Sequence, residues 1–152
     1  MTIQFLLKEI VKDLTTVFSG YRLINQKDKL AALNIYPYNL PEKIEEADEA
    51  HFPYIIVMPQ IGKLDLDSES VTTTLTIGVY DLSENKQGFA DILNIIEKYK
   101  NHLIYERLIG GYEVQYPIVW EMQDEDTHPA YYGGMEIAWK LKPMESKEEG
   151  YI

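Results

Sequence analysis

Apolar residues recur at helical spacing over residues 3–18. Ile3, Leu6, Leu7, Ile10, Val11, Leu14, Val17 and Phe18 fall on one broad stripe. Thr2 precedes them where a cap would sit, and Gly20 follows, so the spacing predicts an amphipathic helix. Residues 21–37 are less regular. Tyr21, Leu23 and Ile24 suit the start of a short strand, and Leu30, Ala31, Ala32, Leu33 and Ile35 precede Pro37. Residues 41–49 are strongly acidic without a clean apolar period, and read as a mobile loop or a short solvated helix. Residues 52–58 form a compact apolar run between prolines, the pattern of a buried strand. Residues 61–70, with Gly62 and an acidic string, read as a connecting loop.

The clearest alternation spans residues 71–80. Val71, Thr73, Leu75, Ile77 and Val79 lie on one face; Thr72, Thr74, Thr76, Gly78 and Tyr80 lie on the other. Ser83 then opens a second predicted helix reaching about Tyr105, with Phe89, Ile92, Leu93, Ile96, Tyr99 and Leu103 on its apolar face. Gly110-Gly111 breaks to a strand over 112–122, where Pro117 marks a sheet edge or a bulge. An acidic loop covers 123–129. A last strand covers 131–141, with Met135, Ile137, Trp139 and Leu141 on one face, and Pro143 stops it. This order predicts a single α+β domain over residues 1–142, in which a mostly antiparallel sheet of about four strands packs against two main helices. Residues 143–152 are expected to form a disordered acidic tail.

Composition narrows the function. A chain of 152 residues can bury roughly two-thirds of its unfolded surface without staples. It has no cysteine, which removes disulfides, thiolate metal sites and thiol nucleophiles. No segment approaches the roughly 18 apolar residues of a membrane span. The N-terminus lacks the basic lead and cleavage site of a signal peptide, so a soluble, cytoplasmically made protein is expected. The net charge of −11, from 14 basic and 25 acidic residues, opposes tight nucleic-acid binding. It is compatible with a surface that DNA slides past without sticking, and equally with an ordinary acidic protein.

No motif carries catalysis. His51, His102 and His128 are far apart and have no partner at metal-ligand spacing. Asp65-Leu66-Asp67-Ser68-Glu69 begins like a calcium loop, but Ser70 stands where the glycine should be and no bidentate glutamate follows. Asp124-Glu125-Asp126 beside His128 lacks the shielded setting that acid–base work needs. Neither Ser19 nor Ser83 sits in a nucleophile elbow, and neither Gly110-Gly111 nor Gly133-Gly134 leads into a phosphate-binding loop. The chain is therefore expected to be no enzyme, and to need no cofactor and no metal. Twelve tyrosines, many in the second half, suit a surface that meets another protein, and several equally suit the core.

The run Phe52-Pro53-Tyr54-Ile55-Ile56-Val57 resembles the early strand of phage tail terminator and tail completion proteins, the minor tail protein U-like family. So does the later order. A Thr-rich strand ends Gly78-Val79-Tyr80-Asp81, and a helix opens near Gly88-Phe89-Ala90-Asp91-Ile92. An acidic loop carries His128-Pro129, and Tyr131-Tyr132-Gly133-Gly134 leads into a strand with Trp139. The similarity covers roughly residues 3–142.

The resemblance implies a structural virion protein that caps the head-proximal end of a long tail tube. Members form a ring, usually six-fold, which ends polymerisation of the tube protein and offers a joining surface to the head connector. DNA crosses the central channel without specific binding. Location in the virion tail, after assembly in the bacterial host cytoplasm, is implied too, with no membrane role. Interface loops are then expected at 39–51, 60–70 and 123–132, with Asp65, Asp67, Asp124, Asp126, Tyr131 and Tyr132 as contacts. A head–tail connector or neck protein, and a small ligand-binding α+β domain, are the alternatives.

Overall fold

The computed structural model describes residues 2–41 and 51–141. The acidic segment 42–50 and the predicted tail 143–152 lie outside the described residues. The elements run α1 (Ile3–Val17), β1 (Arg22–Ile24), β2 (Leu30–Ala32), β3 (Asn34–Pro37), β4 (Tyr54–Leu64) and β5 (Glu69–Tyr80). They continue as α2 (Gln87–Glu106), β6 (Leu108–Ile109), β7 (Tyr112–Met122) and β8 (Ala130–Leu141). β1 and β2 form a small antiparallel ribbon. The other strands make one six-stranded sheet in the order β3-β4-β5-β8-β7-β6, parallel only between β3 and β4. Among the described residues no helix is long and apolar enough to cross a membrane.

The expectation of about four strands against two main helices is overturned. The described residues are mostly β, with six strands in one sheet and two in another. Three features account for the difference. β3 is a four-residue strand whose pairing is parallel to β4 and is anchored by Asn34, whose amide nitrogens reach the His51 and Pro53 carbonyls at 3.0 and 2.9 Å. β6 is two residues long and exists only as the partner of Tyr112 and Glu113. Most of the predicted loop 61–70 is strand. β4 and β5 stay paired from Ile61↔Thr72 to Leu64↔Glu69, and only residues 65–68 turn, closed by Asp65 N–H donating to the Ser68 carbonyl at 2.7 Å.

Both helices cover one face of the sheet, here called inner. α1 buries Leu6, Leu7, Ile10 and Leu14, and the Thr2 hydroxyl accepts the Phe5 N–H at 3.0 Å as its cap. α2 begins at Gln87 rather than Ser83. Ser83 is held in a turn by Asp81, and Lys86 takes the left-handed conformation (φ 62°) at the helix start. Its buried stripe is Ile92, Ile95, Ile96, Tyr99 and Leu103; Leu93, expected on that face, is exposed. Asp13 of α1 ties the helices together. It accepts the Tyr99 hydroxyl at 2.9 Å and lies 2.9 Å from His102 Nε2. Burial, and then the Asp13 charge, hold the Tyr99 hydroxyl well above the usual tyrosine range.

The inner sheet residues follow the alternation of the sequence. Val71, Thr73, Leu75, Ile77 and Val79 of β5 meet Tyr131, Gly133, Met135, Ile137 and Trp139 of β8. Thr73, the polar member, is satisfied: Trp139 Nε1–H donates to its hydroxyl at 2.9 Å, and that hydroxyl donates to the Ile137 carbonyl at 3.2 Å. β7 joins this ladder in two parts. Its register shifts between Gln115 and Val119, so Pro117 sits in a bulge, as its missing N–H requires.

Candidate functional site

Among the described residues no helix covers the outer face of the sheet, and two features stand out there and at its rim. The first is the β4–β5 arm. At Pro59 the register shifts by one residue, Gln60 bulges, and the hairpin continues as Ile61–Leu64 against residues 69–72. The arm carries exposed apolar side chains, with Ile61, Leu64 and Leu66 at 62%, 77% and 104% relative exposure. Leu66 at the turn touches nothing that shields it. Asp65 and Asp67 flank it and are exposed. The predicted contacts Asp65 and Asp67 thus lie in the tight turn at one end of the sheet, where β8 still pairs with Glu69–Thr72, not in a slack loop.

The second feature is an open groove of about 600 Å³ on the outer face. By register its floor is Thr74, Thr76 and Gly134, and Glu121, Glu136 and Tyr132 stand along it. A Cβ at Gly134 would lie 2.9 Å from the Leu75 carbonyl oxygen, so only glycine lets β8 approach β5 this way. Beside the groove, Phe52 gathers an aromatic cluster, with ring centroids 5.1 Å from Tyr54, 5.7 Å from Tyr80 and 6.3 Å from Tyr132. The Tyr54 ring lies over Gly78, where a Cβ would be 2.3 Å from it. Burial, assisted by Tyr132, pushes the Tyr54 hydroxyl up to about 12.

The loop from β7 to β8 holds the other acidic candidates. Asp124 is exposed. Asp126 accepts the His128 N–H at 3.0 Å and lies 3.8 Å from Lys86 Nζ, an exposed pair worth little by itself. His128 Nε2 lies 3.0 Å from the Ser83 carbonyl oxygen, an acceptor, so that nitrogen carries the proton. The loop is thereby pinned to the start of α2.

The centre of this pinning is Asp81, which sequence reasoning did not single out. Its carboxylate accepts the Gly88 N–H at 2.8 Å and the Ser83 N–H and hydroxyl at 3.0 and 2.8 Å. Its own N–H donates to the Pro129 carbonyl at 2.8 Å. Lys86 supplies no side-chain cap, so Asp81 caps α2 from five residues upstream of it. The spacing Asp81-Leu82-Ser83, an Asx turn before a helix, was the available signal. Burial would raise the Asp81 carboxyl; the hydrogen bonds from Ser83 and Gly88, with His128 nearby, outweigh it and hold it below the usual range. Asp81→Ala is expected to cost about 1–3 kcal/mol, since it strands the buried Gly88 N–H and frees both loops. A carboxyl lowered in the folded state contributes stability above its unfolded value and loses it as pH falls through the lowered one. Acid unfolding followed by circular dichroism should therefore begin at higher pH in wild type than in an Asp81→Asn chain once both are normalised to their stability at neutral pH.

Tyr131 and Tyr132 part company. Tyr132 is outward and partly exposed. Tyr131, expected on a contact surface, is a core residue with 1% exposure, because it sits under the first turn of α2 against Gly88 and 4.8 Å edge-on from Phe89. The acidic pairs part as well. Glu69 pairs with Leu141 beside Asp65 and Asp67, while Tyr80 pairs with Ala130 beside Asp124 and Asp126. Eleven ladder steps at about 3.4 Å separate these ends by roughly 37 Å. The candidates therefore make two patches, one at each end of the sheet. His51, His102 and His128 remain separate, and among the described residues no group of three or more potential metal ligands forms. No protein-family model and no curated protein sequence matches the chain.

Proposed function

We propose that this protein is a tail terminator of a long-tailed phage, a structural subunit of a ring, six-fold by resemblance, that ends tail-tube growth and joins the head connector. The observation that carries the reading is the exposed apolar edge and turn of the β4–β5 hairpin. An apolar hairpin held into solvent by a paired ladder is a surface made to meet protein. Two acidic patches at opposite ends of one sheet suit a subunit that touches different partners above and below. The charge of −11 suits a channel that DNA crosses without adhering. No chemistry and no cofactor enter this function.

The test is to add the pure chain to tail-tube subunits as they polymerise. Growth should stop, and imaging should find the chain at one tube end. Tubes of unaltered length with no bound chain would sink the terminator reading. A chain that ignores tubes and binds only the head-side ring would favour the connector instead. Asp124→Lys with Asp126→Lys is expected to abolish head joining while leaving the fold intact, as judged by circular dichroism. Unchanged joining would remove the 123–129 loop from the interface.

A further inference from the structure

The sheet has two open edges, and the geometry points to their pairing with each other: we propose that the arm strand Ile61–Leu64 of one copy adds antiparallel to Val119–Met122 of the next, making one continuous sheet around the ring. The inference rests on the ring reading above and specifies its subunit contact.

β3 covers β4 only along Tyr54–Val57, and β6 covers β7 only at Tyr112 and Glu113. Beyond these, among the described residues, no strand pairs with the outer side of β4 or β7. Unpaired N–H and C=O groups along an exposed apolar strand are a template for another chain. Proline blunts such edges. Pro59 and Pro117, each at a register shift, limit the free edges to two uninterrupted segments of equal length, Ile61–Leu64 and Val119–Met122.

The two segments match on both faces in the register that sets Lys63 opposite Glu121 and Leu64 opposite Trp120. The ladders place Ile61 and Lys63 with Thr72 and Ser70 on the outer face, and Val119 and Glu121 with Glu136 and Gly134 on that same face. Lys63 and Glu121 are the only charges in their segments, and they are opposite in sign. On the inner side, exposed Leu64 meets half-exposed Trp120. Within the sheet β4 and β7 run in opposite directions, so a copy set beside its neighbour in the same orientation brings them together antiparallel. Pairing β4 with β4, or β7 with β7, would bring like charges into one ladder and leave the other edge open. Pairing β4 with β7 satisfies both edges by one repeated contact, the head-to-tail kind that closes a ring.

The chain has no cysteine, so single thiols report position cleanly. Full-length Leu64→Cys and Trp120→Cys chains, whose thiols would stand directly opposite each other, are prepared, checked for fold by circular dichroism, and treated with a short thiol–thiol cross-linker. The mixture should give a new species of twice the chain mass that neither chain gives alone. The double-cysteine chain should give a ladder ending in a closed oligomer. Lys63→Glu is expected to weaken association by roughly two- to fivefold, the size of an exposed ion pair, and adding Glu121→Lys should restore it. Self-cross-linking of either single variant, or no cross-linking at the highest soluble concentration, overturns the proposal. Closed rings in images without the mixed cross-link overturn the edge contact and leave the ring. Mixed cross-links that stop at open species keep the edge contact and overturn the ring.

Discussion

Trp139→Ala is expected to lower the unfolding free energy by about 3–5 kcal/mol, a large part of what a domain of this size has. The indole is the largest fully buried side chain, opposite Val71 on one side and Val114 on the other. Its removal opens a cavity where β5, β8 and β7 meet. It also takes the donor from Thr73, whose hydroxyl keeps only its bond to the Ile137 carbonyl. Trp139→Phe fills most of the space and loses the hydrogen bond alone, so it should cost about half as much. Urea unfolding checks both. The midpoint should fall in that order with little change of slope. The chain's other tryptophan, Trp120, is half exposed, so the blue-shifted part of the fluorescence should disappear with Trp139.

Gly133→Ala is expected to destabilise by about 1–3 kcal/mol although it adds a single methyl group. A Cβ there would stand 2.5 Å from Ile92 Cγ2 and 3.1 Å from the Glu121 carbonyl oxygen. α2 rests directly on the β8 backbone at this point, and the methyl has no free side to move toward. Ile92→Ala alone should cost about 2–5 kcal/mol by leaving a cavity. The double variant should be less damaged than the sum of the two, because the new methyl enters the vacated space. Strict additivity in a double-mutant cycle would show that the two residues do not meet.

Local pattern carried individual elements but not the sheet they build. The stripe of α1 and its Thr2 cap needed only near neighbours to be read. The alternation of residues 71–80 matches the inward and outward faces of β5 position by position. Where the reading failed, distant partners decide the structure. Gly62 and the string Asp65 to Glu69 look like breakers, yet β8 pairs with residues 69–72 from the far side and draws the hairpin out. β3 and β6 are too short to show a period and exist through their neighbours. Periodicity could not choose between Leu93 and Ile95, which lie on either side of the stripe; packing on the sheet buries Ile95 and leaves Leu93 exposed. Of the candidate contacts, the exposure of Asp65, Asp67, Asp124 and Asp126 was legible because runs of charge stay in water. Tyr131 was not, because a tyrosine serves a core or an interface equally well and only Gly88 makes room for this ring. Asp81 was missed for the opposite reason: its partners Gly88 and Pro129 lie across two loops.

Whether the chain closes into a ring is decided by mass photometry of the pure chain across a wide concentration range, with negative-stain images of the same samples. Closed rings of one size are expected, with a hole wide enough for duplex DNA, growing in with concentration and weakened by Lys63→Glu. A stable two-fold dimer that excludes rings at every concentration would contradict the ring reading.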